Sequence, residues 1–366
     1  MKNFVKIFFL LNASLVLVSC FDNNEVPSAS LSILDDKITC EYCFGDFGSI
    51  IESSGNEIVI TEGNAIHIFK WENQELIQTQ KIDYGNMGSG INCVLFRDGV
   101  LIIGHADSYG TGIVSIYQKM SDDWDVAQEL TIGREEDNFG NSIDLNIEYL
   151  VIGANAPWVD DIQDWKNEDE GRIYIYKKSS SEWVMDKEFK SQNSHGDDRF
   201  GSSIAIQGNY ILAGSGSTSL HVYQYDGEWK FLKTEPIKSN KLVHYENNFL
   251  ARNDESYENM LSAFTLDENA NFEYSEVSFD FTNQELSGHG EILDMYESKS
   301  IFALEMDNYC YTMEYQNSEW TDITKTDPEG NESWVMLGIE ITEDKIYMGG
   351  ESREEGWKDI VYILDY

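Results

Sequence analysis

One short pattern recurs along the chain and limits the folds that are open to it. A phenylalanine or methionine followed by glycine leads into an isoleucine at four places: Phe47-Gly-Ser-Ile-Ile51, Met87-Gly-Ser-Gly-Ile91, Phe139-Gly-Asn-Ser-Ile143 and Phe200-Gly-Ser-Ser-Ile204. After each of them come a polar turn, a second apolar stretch and a third stretch in which apolar and polar residues alternate. Short segments of this kind, bounded by glycine, asparagine and aspartate, are typical of all-β proteins.

The same unit continues through the C-terminal half with weaker motifs. The equivalent apolar positions are Ile51, Ile91, Ile143, Ile204, Leu242, Ile292 and Ile339. A fourth strand opens near a large residue in several units, and these residues are Leu76, Trp124, Trp183, Trp229 and Trp320. The recurrence of the tryptophans indicates packing positions rather than platforms for sugars. Seven units of four strands, most of them about 40–50 residues long, predict an all-β, seven-bladed β-propeller with four-stranded blades.

The two ends of the repeat array complement each other. The seventh unit ends after its third strand, Ile360–Leu364, and so lacks a fourth. Ser30–Ile38 precedes the first unit and alternates in the same way as the fourth strand Leu76–Ile82. We therefore expect an N-terminal strand to complete the last blade and close the ring, because closure removes an exposed sheet edge.

The first 30 residues predict targeting rather than folded structure. Residues 1–19 combine two lysines with an apolar run, which is the pattern of a secretory signal. Leu17-Val-Ser-Cys20 resembles the bacterial lipoprotein box, which implies cleavage before Cys20 and attachment of acyl chains such as palmitate to it. The alternative is an ordinary cleaved signal with an unmodified Cys20. Residues 20–30 then form a flexible tether and residues 31–366 the propeller, anchored by lipid in the bacterial cell envelope at the outer membrane or cell surface.

The third unit carries the clearest form of the motif, from Phe139-Gly140 to Ile152-Gly-Ala-Asn-Ala-Pro157. It resembles the FG-GAP repeat of integrin α-subunit propellers and their bacterial relatives. The resemblance implies a propeller that binds ligands through one face, often with a calcium loop between the first two strands of a blade. The corresponding loop here, Asn146-Ile-Glu148, lacks the alternating oxygen ligands that calcium needs. No metal is therefore expected at the usual loops of the family.

Acidic residues outnumber basic ones by 66 to 25, which gives a formal net charge of −41. Such a charge repels nucleic acid and anionic lipid, so no nucleic-acid partner is expected and membrane contact is limited to the lipid anchor. The insertion after the second strand of unit three and the link to unit four supply the predicted ligand-binding residues: Trp158, Asp160, Asp161, Asp164, Trp165, Glu168, Asp169, Glu170, Asp197 and Asp198. Carboxylates beside tryptophans suit a cationic, protein or glycan ligand, with Ca²⁺ as an optional cofactor. The alternative is a solvated acidic loop.

Two cysteines form a CxxC pair, Cys40-Glu-Tyr-Cys43. A zinc site would need a second pair or histidines at close spacing, and the sequence has none nearby. A redox pair usually opens a helix after a strand, whereas this pair precedes Phe44-Gly-Asp-Phe-Gly48. The sequence therefore predicts a local disulfide or two packed thiols at Cys40 and Cys43, and core positions for Cys93 and Cys310.

The sequence contains no recognisable catalytic motif. Its six histidines lack metal-ligand spacing, and His67 and His221 are explained by the repeat. The preferred hypothesis is a non-catalytic lipoprotein whose propeller binds a protein or glycan on the face of blades 3 and 4. Two alternatives stay open: a glycoside hydrolase or polysaccharide lyase that uses clustered carboxylates, and a structural scaffold in an envelope complex. The oligomeric state is left open.

Overall fold

The computed structural model of the protein describes residues 30–34, 36–41, 43, 47–85, 90–97, 99–105, 111–132, 138–155, 171–192, 199–216, 218–252, 261–275, 292–297, 299–303, 310–316, 319–326, 334–352 and 358–365. These residues form 29 β-strands in seven antiparallel sheets. Among them there is no helix with the length and apolar character needed to span a membrane.

Two N-terminal strands, β1 (Ser30–Ile33) and β2 (Lys37–Glu41), precede the blades. The strands of blade 1 are β3 (Ile51–Ser54), β4 (Glu57–Glu62), β5 (Ala65–Glu72) and β6 (Glu75–Asp83). The strands of blade 2 are β7 (Ile91–Arg97), β8 (Val100–His105), β9 (Ile113–Met120) and β10 (Asp123–Leu130). The strands of blade 3 are β11 (Phe139–Leu145), β12 (Tyr149–Ala154), β13 (Arg172–Ser179) and β14 (Glu182–Lys190).

Blades 4 to 7 follow in the same order. The strands of blade 4 are β15 (Phe200–Gln207), β16 (Tyr210–Ser215), β17 (Ser219–Tyr225) and β18 (Trp229–Glu235). The strands of blade 5 are β19 (Lys241–Tyr245), β20 (Asn248–Arg252), β21 (Leu261–Leu266) and β22 (Phe272–Ser275). The strands of blade 6 are β23 (Ile292–Tyr296), β24 (Lys299–Ala303), β25 (Cys310–Gln316) and β26 (Glu319–Thr326). Blade 7 contributes β27 (Trp334–Ile341), β28 (Lys345–Ser352) and β29 (Lys358–Asp365).

The first strand of each blade forms the inner wall of a closed ring. It contacts the first strand of the next blade at every step, including the step from blade 7 back to blade 1 through β27 and β3. The remaining strands of each blade are hydrogen-bonded side by side in chain order. The predicted all-β, seven-bladed propeller is confirmed.

The N-terminal segment closes this ring as predicted, with one difference. β2 pairs with β29, with Ile38 opposite Val361, and so provides the fourth strand of blade 7. The expected single strand Ser30–Ile38 is instead a hairpin, in which the Leu34 N–H donates to the Lys37 carbonyl over 2.8 Å and β1 folds back on β2 as a fifth strand. The sequence Asp35-Asp36 lies between the two strands, and aspartate favours tight turns.

The Phe-Gly motif explains how neighbouring blades approach each other. The phenylalanines of the motif are fully buried: Phe47, Phe139 and Phe200. In each motif the carbonyl of the glycine that follows the phenylalanine lies against a second glycine on the preceding blade. A Cβ atom added to this second glycine would fall 2.0 to 2.2 Å from the carbonyl oxygen. The glycine pairs are Gly48 with Gly349, Gly140 with Gly104, and Gly201 with Gly153. Because the two backbones touch, the facing strand has room only for glycine.

The outer strands carry a second repeated contact between blades. The Gln80 side chain on β6 accepts from the Trp124 N–H (2.8 Å) and donates to the Trp124 carbonyl (2.9 Å) in blade 2. Gln128 on β10 makes the same pair of bonds with Trp183 in blade 3, at 2.8 and 2.9 Å. The tryptophans predicted to pack are all buried: Trp124, Trp183, Trp229 and Trp320. Their recurrence therefore reflects both core packing and contacts between blades.

Ile38→Ala tests ring closure. Ile38 is fully buried in the core shared by blades 7 and 1, so we expect its truncation to lower the free energy of unfolding by about 2–5 kcal/mol. Leu34→Ala is the matched control, because Leu34 is 51% exposed in the hairpin turn and should change stability by less than about 0.5 kcal/mol. Denaturant unfolding measures both. Equal, small effects would show that β2 does not close the ring.

Candidate functional site

The predicted ligand-binding residues and the lipidation site lie outside the described residues. This applies to Cys20 and to the ten predicted ligand-binding residues, of which Trp158 is the first and Asp198 the last. These ten residues belong to two acidic segments, residues 156–170 and 193–198, and the structure describes the strand ends that flank both segments. Ala154, Arg172 and Lys190 pair side by side across β12, β13 and β14. Both segments therefore start from the same side of blade 3, which we call the loop face.

A network of asparagines lies at the loop face between blades 2 and 4. The Asn92 amide of blade 2 donates to the Asn138 side chain over 2.9 Å, and Asn138 donates to Asn155 over 2.9 Å. The Asn141 amide reaches the Ser202 carbonyl of blade 4 over 3.3 Å. These bonds join three consecutive blades at the face from which the acidic segments start.

A cavity of about 1210 Å³ occupies the centre of the ring. All seven first strands contribute to its lining, which extends to the turns at Ser54–Asn56 and Thr342–Lys345. Those turns join first and second strands, on the side opposite the loop face, which we call the turn face. The cavity is therefore a second candidate site, built from residues other than the predicted ones.

One position on the first strands repeats through all seven blades. It is the residue that pairs with the third residue of the second strand: Glu52, Leu95, Asp144, Ala205, Val243, Asp294 and Glu340. Four of the seven are carboxylates. We call these four the inner carboxylates: Glu52, Asp144, Asp294 and Glu340.

Three of the four inner carboxylates accept a hydrogen bond from a backbone N–H of the next blade. The bonds run from Ile206 N to Asp144 (2.6 Å), from Ile341 N to Asp294 (2.9 Å) and from Ser53 N to Glu340 (2.9 Å). First strands are sheet edges, so part of their backbone N–H groups have no partner within the blade. The inner carboxylates satisfy one such group at three of the seven junctions between blades, including the junction of blades 7 and 1.

Three inner carboxylates belong to consecutive blades, Asp294 to blade 6, Glu340 to blade 7 and Glu52 to blade 1. Burial, and then the nearby Asp294 charge, raises the pKa of Glu52 to about 8. Burial, followed by Asp294 and Glu52, also places the pKa of Glu340 well above its usual range. This side of the cavity therefore holds protonated carboxyl groups at neutral pH.

The fourth inner carboxylate is stabilised in its charged form. Burial alone would raise the pKa of Asp144, but the Arg97 guanidinium and His244 more than offset it and the pKa is lowered. Arg97 forms an ion pair with Asp144, and His244 Nε2 lies 3.0 Å from it. The two sides of the cavity therefore differ in charge, with the Arg97 guanidinium paired to Asp144.

Cys93 and His221 have pKa values that are poorly suited to catalysis at neutral pH. Cys93 was expected in the core but lies partly buried on the cavity wall, where burial raises the pKa of its thiol to about 12. Burial lowers the pKa of His221 to about 4, so it is neutral at pH 7. His67 and His221 pack against Phe47 and Phe200 at centroid distances of 5.6 and 5.0 Å. Their equivalent packing agrees with the explanation from the repeat.

Cys40 and Cys43 lie near the junction of blades 7 and 1. A disulfide joins them, with their Cα atoms 5.8 Å apart. Glu62 at the end of β4 approaches the pair, with Oε1 3.2 Å from Cys43 Sγ. The oxidation state of the pair in solution stays a prediction. The Cys310 side chain lies outside the described part of the chain.

Glu52→Gln should make stability less dependent on pH. Glu52 and Glu340 hold protons in the native state that the unfolded chain has already released, so the free energy of unfolding should fall as pH rises from about 4.5 to about 8. The Glu52→Gln variant lacks one of these groups. Its free energy of unfolding, measured by denaturant unfolding, should therefore decline less over the same pH range. Glu75→Gln changes an exposed carboxylate and should keep the wild-type dependence. An identical decline in E52Q and wild type would contradict the raised pKa of Glu52.

Solved structures share this fold at low sequence identity. The WD40 β-propeller domain of Doa1 is 11% identical, with a TM-score of 0.55 over 89% of this chain and 94% of that chain. BamB from Moraxella catarrhalis is 11% identical, with a TM-score of 0.51 over 92% and 96%. The WD40 domain of Pan2 from Neurospora crassa is 12% identical, with a TM-score of 0.54 over 88% and 90%.

Sequence comparisons add no family assignment. The chain matches no protein-family model, and no curated protein sequence is significantly similar to it. The structural similarities show the propeller fold, and the FG-GAP resemblance stays a prediction.

Proposed function

We propose that this protein is a lipid-anchored component of the bacterial cell envelope whose propeller binds a protein or glycan without catalysing a reaction. The proposed contact surface is the loop face of blades 3 and 4, with Trp158, Trp165 and the surrounding acidic residues. Cys20 is the proposed anchor. A scaffold role in an envelope complex is a form of the same proposal in which the ligand is a permanent protein partner.

One observation carries the proposal. The ends of β12, β13 and β14 lie side by side, so the acidic insertion of blade 3 and the link to blade 4 start from the same face. The asparagine network and the close glycine pair Gly153–Gly201 hold the supporting blades together. A ring of this kind can present long connecting segments to a ligand with little rearrangement of its own, which lowers the entropic cost of binding.

The fold comparisons agree with a binding or scaffold role. The similar structures are two WD40 domains and BamB, which share the propeller with this chain. The negative charge of −41 favours a partner with exposed lysine or arginine, because complementary charge increases association rates and discriminates against acidic partners.

The test replaces the acidic residues of the loop face by amides. The variant carries Asp160→Asn, Asp161→Asn, Asp164→Asn, Asp197→Asn and Asp198→Asn. The control removes five charges from exposed outer-strand positions: Glu75→Gln, Asp123→Asn, Asp125→Asn, Glu182→Gln and Glu273→Gln. Both are compared with wild type on glycan arrays and in quantitative pull-downs from native envelope, with Ca²⁺ or with a chelator.

We expect the loop-face variant to lose at least about tenfold in binding, and the control to bind as wild type. If the loop-face variant binds less than wild type only when Ca²⁺ is present, the acidic residues take part in a calcium-dependent contact. Unchanged binding by the loop-face variant would refute the proposed surface, and equal losses in both variants would reduce the effect to net charge.

The central cavity favours one alternative, a glycoside hydrolase. A protonated carboxyl beside a second carboxylate is the pair that such enzymes use, and Glu52 with a pKa of about 8 interacts with Asp294. Against this, Asp294 already accepts a backbone hydrogen bond from the next blade. Turnover of a polysaccharide that Glu52→Gln abolishes would establish the enzyme and displace the binding proposal.

A further inference from the structure

We propose that Cys40, Cys43 and Glu62, with both thiols reduced, form a binding site for Zn²⁺ at the junction where the ring closes. The sequence alone gave no third ligand for the CxxC pair. The fold supplies one, because closure of the ring places the end of β4 beside the segment that follows β2.

The ligand atoms are close enough to share one ion. One atom from each of the three side chains lies within 4.8 Å of the other two, and Cys43 Sγ is 3.2 Å from Glu62 Oε1. Tetrahedral zinc with ordinary bonds to sulfur and oxygen separates its ligands by about 3.5–3.8 Å. Small side-chain movements therefore suffice to admit the ion.

The carboxylate is oriented by its neighbours. Glu62 Oε2 lies 2.6 Å from His67 Nε2 and 2.8 Å from Lys81 Nζ, which leaves Oε1 directed at the cysteines. The Gln78 amide donates to His67 Nδ1 over 3.0 Å, so the ring proton is on Nε2 and is donated to Glu62. Hydrogen bonds that fix a ligating carboxylate are a regular part of metal sites.

The surroundings also suit a thiolate-bound cation. Cys40 is 1% exposed, and the Glu62 side chain is 12% exposed. Zn²⁺ prefers thiolate sulfur and accepts carboxylate oxygen, and three protein ligands leave a fourth position for water. Cys40 belongs to the strand that completes blade 7, whereas Glu62 belongs to blade 1, so a bound ion would link the first and last blades.

The metal and the disulfide exclude each other. In the structure the two sulfur atoms are bonded to one another. A dithiol reductant such as dithiothreitol opens this bond, supplies two electrons and two protons, and becomes a cyclic disulfide. Zn²⁺ then replaces the two thiol protons, which pass to the buffer, and no further electron transfer is needed.

The test uses the reduced full chain and Co²⁺ as a spectroscopic substitute for Zn²⁺. We expect one Co²⁺ per chain with a thiolate-to-cobalt charge-transfer band, and its displacement by Zn²⁺. Cys40→Ser and Cys43→Ser should abolish the band, and Glu62→Gln should weaken binding by roughly tenfold or more. Cys93→Ser removes the cavity thiol and Glu41→Gln a neighbouring carboxylate that pairs with Lys358, so both controls should bind as wild type.

Two further readouts keep the proposal testable if a cysteine variant folds poorly. Zn²⁺ should raise the melting temperature of the reduced wild type and leave that of Glu62→Gln much less affected. It should also slow formation of the Cys40–Cys43 disulfide by oxidised glutathione. Absence of the charge-transfer band in the reduced wild type, or equal binding by wild type and Glu62→Gln, would overturn the proposal.

Discussion

The need to satisfy backbone N–H groups at the inner edge of each blade is the constraint that shapes the central cavity. The first strand of each blade is a sheet edge around a central cavity, and an edge leaves backbone donors unpaired. Asp144, Asp294 and Glu340 each bond such a donor across a junction at 2.6 to 2.9 Å. Because Glu340 belongs to blade 7 and its donor Ser53 to blade 1, the same interaction also spans the closure.

This constraint determines the electrostatics of the cavity. Carboxylates placed on consecutive blades are close to each other and partly shielded from water, so burial and mutual repulsion raise the pKa of Glu52 and Glu340. Asp144 fulfils the same structural role beside Arg97 and His244, and its pKa is lowered. One backbone requirement therefore produces opposite titration behaviour, depending on whether burial and neighbouring carboxylates or neighbouring cations have the larger effect. The acidity of the cavity follows from how the blades join, whereas the proposed ligand-binding surface is the loop face.

The sequence was sufficient for the architecture but not for the inner carboxylates. Alternation, turn residues and the Phe-Gly motif predict seven blades because they depend only on local periodicity. The closing strand was predicted from its alternation, although the structure divides it into β1, which ends at Ile33, and β2, which begins at Lys37. The inner carboxylates were missed because their position is defined by register. Glu340 follows its motif isoleucine directly, whereas Asp294 comes two residues after Ile292. The inner carboxylates align when residues are counted back from the turn between the first and second strands of each blade, and not when they are counted forward from the motif.

Contacts between distant segments were likewise beyond the sequence. Gln80 and Gln128 are ordinary polar residues of outer strands until the fold places them on the backbone of a tryptophan in the next blade. Glu62 joins the CxxC pair only because the ring closes there. The acidic segments of the loop face, in contrast, are conspicuous in the sequence, and their composition together with the topology of blades 3 and 4 supports the proposed binding surface.

Residue-resolved amide hydrogen exchange measures the bonds between the inner carboxylates and the next blade. The amides of Ser53, Ile206 and Ile341 should exchange slowly, because each donates to a carboxylate of the preceding blade. The equivalent amides of His244 and Met295 follow blades with Ala205 and Val243 at the carboxylate position, which offer no side-chain acceptor, and should exchange faster. Exchange of all five at the rate of exposed sheet edges would contradict the role of the inner carboxylates in joining the blades.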